Sequence, residues 1–553
     1  MKLNGKWSWF LGFTAVFAAL VAYIFWGTWS TDFAPVMPDC PFVYDSNYAA
    51  GVFRGIFASG KFVPADVCKF LGSPYFWQEL QYAIALYCAA LGLAYFCRGR
   101  ALSRLASYGA GLLLALSGYW CTLFSAGHLG WFQWMIYGVF AFGLADRAVR
   151  KGKLRHWLLL GACVAWASFY QPDLWLLFSL LTGVYFIWCC IRERKFPWKG
   201  AVLSAAIFFL IAAPSIRSAF VNDLVGRDKQ IEEGQTISDK DKATVDEREK
   251  RWIFVTNWSL PPAESAEFFI PRLNGDTSCP MTLSLGARYR TGVKPYAGAL
   301  GRPKDASAGN YRQHSLYVGF ITCLLSLWGI IYGVRGLFNR TIEQSNNRTI
   351  VFFALAAILC WLFSLGRYCE PVYRVIFSLP FGDYLRAPVK WHHLTEFCLC
   401  VLAGYGIEGL LRRLGQLRRL GRFAPWILGA VVIVGAIDLA RIDRLYCAPV
   451  DLREAKRQNA SMQMTFLRRS DFANPQVKAM VSAKRIVPLA QPNPEMYLVG
   501  VLQPRGPHKE KPWPPMSAAT WLGIVSVFST IVMFVTICFL RPVDASVQQC
   551  NLG

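Results

Sequence analysis

The feature that most limits what this chain can become is a series of apolar runs, each long enough to cross a hydrocarbon layer. A helix needs about 20 predominantly apolar residues to span one. Such runs recur from residue 7 to residue 540, separated by short stretches of charge, glycine and proline. In lipid every backbone N–H and C=O must be satisfied within the protein, so runs of this length predict helices. Charged residues make up only 17% of the chain, against about 25% in soluble proteins, which argues against a string of soluble domains. The first run, over 7–27, follows Lys2 and Lys6. It is long for the core of a cleaved signal peptide and no small-residue cleavage site follows it, so it reads as a retained signal anchor.

Further runs centre near Ala90, Leu114, Val139, Val164, Leu180, Phe208, Leu324, Ala357, Val401 and Ile433, and a last one covers 517–540. The expectation is an all-α polytopic membrane protein with about twelve transmembrane helices. An N-terminal transmembrane module occupies 1–220 and carries a first outer loop at 28–75. A polar segment over 221–312 and a central transmembrane module over 313–440 follow. A second polar segment covers 441–516, and a last helix with a short tail covers 517–553. Within the first polar segment, 227–251 is dense in charge of both signs and reads as a solvated helix or loop.

Charge sets the expected orientation. The net charge is +24, but it is dispersed in short clusters between apolar runs, with no basic domain or nucleic-acid motif. Place Lys2 and Lys6 in the cytoplasm and let the spans alternate. The connections 98–104, 147–155, 192–199, 335–348 and 412–422 then all fall on that side, and each is short and basic. This is the pattern of the positive-inside rule. Both termini become cytoplasmic, and the two long polar segments and the first loop become extracytoplasmic. Cys88, Cys163, Cys189, Cys190, Cys323, Cys360, Cys398 and Cys400 lie in apolar runs and read as small hydrophobes. Cys40 and Cys68 share the first outer loop and could pair on an oxidising side.

Two regions carry residues suited to chemistry. The first loop holds Asp32, Asp39 and Asp45, and after Asp45 the residues Tyr48, Val52, Phe53, Ile56 and Phe57 have the spacing of a surface helix. Asp45 either caps that helix or takes a proton from an acceptor hydroxyl at the membrane face. The second region, 366–393, gathers Arg367, Arg374, Arg386, Lys390, His392 and His393 on the outer side, against the positive-inside trend. A lipid phosphate gripped by arginine forks and lysine would explain them. Pairing with Glu370, Asp383 or Glu396 is the plainer account. Pro388 predicts an extended Ala387. His128, beside Trp131 and Trp134, is either part of an interfacial aromatic belt or a donor to phosphate. Asp173, in Y-Q-P-D, reads as a helix cap.

Several chemistries are unsupported. His392 and His393 are adjacent on a predicted helix, where neighbours point apart, so they make a poor metal pair. Gly404, Gly406 and Gly409 fit the letters of a dinucleotide loop but lie inside a predicted span, where close helix packing is the natural reading. There is no phosphate-binding P-loop and no serine nucleophile elbow. Ligand spacing indicates no cofactor; a divalent cation could assist.

The stretch L-G-R-Y-C-E-P-V-Y-R-V-I-F-S-L-P-F-G-D-Y-L-R-A-P-V-K-W, followed by L-A-G-Y-G-I-E-G-L, resembles the YfhO-like bacterial membrane proteins. N-W-S-L-P-P-A-E, S-L-Y-V-G-F, G-H-L-G-W and Y-Q-P-D resemble further segments of that family, scattered between Asp45 and Asp443. The resemblance implies a GT-C-type glycosyltransferase, a helical bundle in the bacterial inner membrane with its active site among the outer loops. It implies a polyprenyl-phosphate-linked sugar as donor and an acid in the first outer loop as base. Asp45-Ser-Asn47-Tyr48 matches the family's Asp ahead of Gln-Tyr, with Asn47 in place of Gln. Asp45 is thus the first candidate base and Asp39 the second. Tyr48, His128, Arg367, Arg386 and Lys390 are candidate substrate contacts. An envelope glycan, lipid or protein would be the acceptor. The alternatives are a transporter or flippase for a lipid-linked or anionic envelope precursor, which should show ionisable residues deep in its spans and broken helices, and a non-catalytic membrane assembly factor.

Overall fold

A computed structural model describes residues 5–27, 33–35, 61–65, 74–126, 129–218, 247–275, 315–338, 344–379, 382–417, 421–447, 449–451, 453, 457–458, 460–493, 496–504 and 518–539. About 81% of the structure is helical. Among the described residues, seven helices are long and apolar enough to cross a membrane: Trp7–Ile24, Leu80–Gly99, Pro172–Glu193, Trp198–Arg217, Asn346–Ser364, Pro388–Gly415 and Gly421–Tyr446. Leu154–Ala167, Phe320–Gly336 and Trp521–Met533 are shorter apolar helices. The chain is an α-helical membrane protein by the length and composition of these elements. Every run centre named above falls within a helix.

In chain order the elements are α1 (Gly5–Ile24), β1 (Phe33–Pro35), α2 (Pro74–Gly99), α3 (Arg104–Ala115), α4 (Gly118–Ala126), α5 (Leu129–Gln133), α6 (Met135–Lys151), α7 (Leu154–Ala167), α8 (Pro172–Glu193) and α9 (Trp198–Ser218). Then come α10 (Glu247–Val255), α11 (Phe320–Phe338), α12 (Gln344–Ser364), α13 (Glu370–Phe377), α14 (His392–Gly415), α15 (Ala424–Tyr446), β2 (Pro449–Asp451), β3 (Ala460–Arg468), α16 (Pro475–Ser482), β4 (Ile486–Asn493), β5 (Met496–Pro504) and α17 (Ala518–Phe539).

The hub is α14, which packs on α11, α12, α3 and α15. Its glycines explain the closeness. A methyl group on Gly406 would lie 1.9 Å from the Leu325 carbonyl oxygen, and one on Gly329 would lie 2.2 Å from that of Leu402. Backbones approach this closely only where side chains are absent. The hydroxyl of Ser326 donates to Leu399 O at 2.6 Å across the same seam.

The run centred near Leu114 is not one helix. It breaks at Leu116–Ser117, between α3 and α4. There the Gly118 N–H donates to the Tyr317 carbonyl at 3.0 Å. The 315–319 strand of chain thus lies along the break and supplies an acceptor in place of the helix's own ladder.

Two small antiparallel sheets supplement the helices, and the span pattern did not foretell them. β1 pairs with β2, tying part of the first loop to the chain just past α15. Within the 441–516 segment, β3, β5 and β4 form a sheet in that order.

Three of the basic connections meet at one end of the bundle, around a carboxylate that composition did not single out, and described residues of the other two are tied to the first of them. Asp146 of α6 accepts from Arg100 (3.4 Å), Arg150 (2.8 Å) and Arg192 (3.1 Å), and from the Tyr185 hydroxyl (3.2 Å). Arg100 also donates to Asn346 at 2.9 Å, and Arg192 to Thr349 at 3.1 Å. Glu408, held by Arg412 at 3.0 Å, accepts the Ser103 N–H at 2.8 Å. Arg100 and Arg192, counted above among the short basic connections, are therefore interior struts.

Candidate functional site

The opposite end of α14 carries the densest polar packing outside that network. It is built from the 366–391 segment and the 247–268 segment, with the turn before α8 and the residues around α5 against them. Leu260 N–H donates to Ser364 O at 2.9 Å, Ala387 N–H to Val255 O at 3.0 Å, and Val389 N–H to Trp258 O at 2.9 Å. The last of these bonds seams the N-W-S-L-P-P segment to the R-A-P-V-K-W segment, the second ties Ala387 to the end of α10, and the first ties Leu260 to the end of α12. Gly366 of the L-G-R motif has a φ of +49°. A methyl group there would lie 2.1 Å from Ser259 Oγ and 2.6 Å from the Pro388 ring, so this turn requires glycine.

Ala387 departs from the expected extended form. Its φ is +65° and its ψ +82°, in the left-handed region. The two seam bonds on either side of it override the local preference of a residue before proline. A β-carbon in this region costs about 1–2 kcal/mol, and glycine's extra freedom in the unfolded chain returns about 0.5–1 kcal/mol of any gain. Ala387→Gly is therefore expected to stabilise the protein by about 0.5–1 kcal/mol, read as a higher unfolding midpoint in detergent. A lower midpoint would show that Ala387 is unstrained in the folded protein.

The three candidate cations described by the structure have distinct surroundings. Lys390 is buried, and its ammonium donates to the Asp173 carboxylate, with side-chain exposures of 7% and 8%. The same ammonium lies 4.9 Å from the centre of the Trp131 ring. Gln171, not Asp173, is the N-cap of α8, so Asp173 does more than close a helix: it is the lysine's counter-ion. Arg386 lies with its guanidinium carbon 4.7 Å from the centre of Phe254. Arg367 donates to Thr256 O at 3.0 and 2.8 Å and to Asn257 Oδ1 at 3.3 Å. It braces the turn after α10, and burial against that turn draws its pKa below the usual value. Arg374 pairs with Glu370 at 2.6 Å and Arg251 with Asp383 at 3.2 Å. Tyr373 donates to Leu385 O at 3.1 Å, and burial, followed by the Asp173 charge, raises its pKa.

Beneath this layer, at the start of α14, sits a fully buried group around Glu396, which the sequence offered only as a pairing partner for the outer cations. Glu396 Oε1 accepts from the Ser117 hydroxyl at 2.6 Å, and Glu396 Oε2 lies 3.2 Å from His393 Nδ1. His392 Nε2 lies 3.6 Å from Glu396 Oε1. The adjacent histidines do not diverge in effect, because Glu396 stands three and four residues on and one helical turn brings both within reach. Among the described residues no group of three His, Cys, Asp or Glu side chains is arranged to hold a metal ion.

Asp32, Asp39, Asp45, Tyr48 and His128, with Cys40 and Cys68, lie outside the described residues. The neighbours of His128 do not: Gly130 O accepts the Gln171 N–H at 3.3 Å. That bond, with Trp131 against Lys390, brings the G-H-L-G-W, Y-Q-P-D and R-A-P-V-K-W motifs together. Asp173 and Glu396 were the residues undervalued from sequence. For Glu396 a signal existed, since an ionisable residue within a span is functional by default. Set against protein-family models and curated proteins, the chain matches none.

Proposed function

We propose that the chain is a membrane glycosyltransferase that moves a sugar from a polyprenyl-phosphate-linked donor to an acceptor on the extracytoplasmic face. One observation carries the reading: motif segments separated by more than two hundred residues, which bear the resemblance to the YfhO-like family, gather around the Lys390–Asp173 pair. Asp45 would deprotonate or orient the acceptor hydroxyl, whose oxygen attacks the anomeric carbon. The lipid phosphate leaves with the bond's electron pair. Lys390, fixed by Asp173 and Trp131, and Arg386 would meet the charge that develops there. Donors held in place before reaction stabilise such charge best.

The test uses the full chain in lipid bilayers with a radiolabelled polyprenyl-phosphate sugar and a membrane-envelope acceptor extract. Sugar transfer is expected, and Asp45→Asn should lower its rate by about 10²–10⁴-fold, the usual contribution of general base catalysis. Full activity in that variant would remove Asp45 as base. No transfer from any donor by the native chain would remove the enzyme reading.

One observation favours the transporter reading. A broken helix with ionisable groups buried at the break, as at Ser117 and Glu396, is a common construction for substrate and coupling-ion sites in transporters. Movement of the labelled lipid across the bilayer without transfer would favour it.

A further inference from the structure

The group at the break between α3 and α4 has no part in the transfer chemistry above. Ser117, His392, His393 and Glu396 are all fully buried, each at 0% exposure. Among the described residues, the ion-pair partners of Glu396 are the two imidazoles, with no lysine or arginine between them. The His393 ring is clasped between Tyr119, at 4.1 Å and 16°, and Trp120, at 4.0 Å and 19°. His392 stacks on Phe268 at 4.3 Å. His393 Nε2 is buried with no hydrogen-bond partner among the described residues. Among the described residues, the titratable groups facing this site include His392, His393 and Cys400 on its own helix, Tyr119 on α4, Asp443 on α15 and Lys390 in the preceding turn.

A lone carboxylate in such surroundings is costly, and a buried acid either pairs or keeps a proton. One proton on the Glu396–His393 pair satisfies both groups. Carried on Glu396 Oε2, it is donated to His393 Nδ1; carried on Nδ1, it makes an ion pair with the carboxylate. Either way the pair is neutral overall. Loss of that proton leaves a buried negative charge facing Asp443. The start of α4 offsets part of that cost, because the Tyr119 backbone N–H as well as the Ser117 hydroxyl donates to Glu396 at the break. Ser117 donates from the break itself, so the break senses the charge on Glu396 directly.

We propose that Glu396 and His393, with Ser117, form an internal proton-binding site at the break between α3 and α4, one that exchanges a single proton with solvent when the break moves. The inference rests on the buried group and holds under either reading of the function. Under the transporter reading it names the coupled ion. Trp131 links it to the outer layer, since its ring is edge-on to His393 at 6.5 Å and takes the Lys390 ammonium at 4.9 Å.

The experiment is pH-difference infrared spectroscopy on the full chain in lipid nanodiscs, with ¹³C-labelled glutamate and ¹⁵N-labelled histidine. A glutamate band and a histidine band are expected to titrate together within the pH range where the protein stays folded. Both should vanish in Glu396→Gln. Ser117→Ala removes a hydrogen bond to the charged form and should tighten proton binding about tenfold, seen as a midpoint about one pH unit higher. His393→Gln should abolish the histidine band and move the glutamate midpoint. Bands that do not change with pH, or that persist unaltered in Glu396→Gln, would overturn the proposal. An unmoved midpoint in Ser117→Ala would overturn its link to the helix break. The Ser117→Ala and His393→Gln readouts decide the matter if Glu396→Gln fails to fold, and none of the outcomes depends on sugar transfer.

Discussion

Asp146→Asn is expected to destabilise the protein by about 3–5 kcal/mol, the cost of breaking a buried ion pair from one side. Asp146 is 1% exposed and serves Arg100 and Arg192, whose side chains are 3% and 4% exposed. Arg150, at 24%, also donates to it. Asparagine keeps the shape and one acceptor oxygen but removes the charge. Two buried guanidinium groups would then lose the carboxylate they share, leaving Arg192 with the part-exposed Glu193 at 3.1 Å, and arginine cannot shed its proton to escape. The connections before α3, α7 and α9 and the start of α12 all take hold near this residue, so the loss should loosen that whole end of the bundle. Glu370→Gln is the fitting contrast. Its pair with Arg374 is exposed on both sides, at 50% and 44%, and such pairs contribute about 0–1 kcal/mol. Chemical unfolding of both variants in one detergent reads the difference. If Asp146→Asn unfolds within about 1 kcal/mol of the native protein, the arginines find other partners and the network is not held by its carboxylate.

The helices were legible in the sequence because lipid imposes a coarse rule: a run of about 20 apolar residues must close its own hydrogen bonds. That rule places every run centre inside a helix, from Ala90 to Ile433. It does not register a break such as Leu116–Ser117, because the break is made by an outside acceptor, Tyr317 O, and not by any local proline or polar run. Charge counting collected the basic connections at one side, and the structure brings them to one end of the bundle. It could not show that Arg100 and Arg192 turn inward, since that depends on a single aspartate on another helix. The glycines of α14 were legible as packing residues from their setting inside a span. The site was legible in part. The richness of 366–393 stood out, but Asp173 reads as a helix-start residue until Lys390, 217 positions later, is seen against it. The small sheet in 441–516 was harder to read: β3 alternates, but β4 is interrupted by Pro488 and Pro492 and β5 is apolar on both faces over 498–502, so its partners give no alternation.

The Lys390–Asp173 pair offers the sharpest separation of architecture from chemistry. Each single variant, Lys390→Met or Asp173→Asn, should cost about 3–5 kcal/mol, because each strands the opposite charge in a buried setting. The double variant should cost much less than the sum, since replacing both members of a buried pair is often close to neutral. The coupling is then expected to approach the sum of the two single costs. The pair links the first turn of α8 to the turn before α14, and restoring neutrality should restore that packing. It cannot restore a cation. If Lys390 meets the leaving lipid phosphate, the double variant should fold nearly as well as the native chain yet transfer sugar about 10²–10³-fold more slowly, the usual loss when one fixed donor is removed from developing charge. If Lys390 serves only to hold the two turns together, transfer should recover along with stability. Measuring unfolding and transfer on the same four proteins, native, two singles and the double, distinguishes these outcomes. Recovery of both would move the phosphate-binding role away from Lys390 to Arg386, whose guanidinium lies over Phe254 on the adjoining seam.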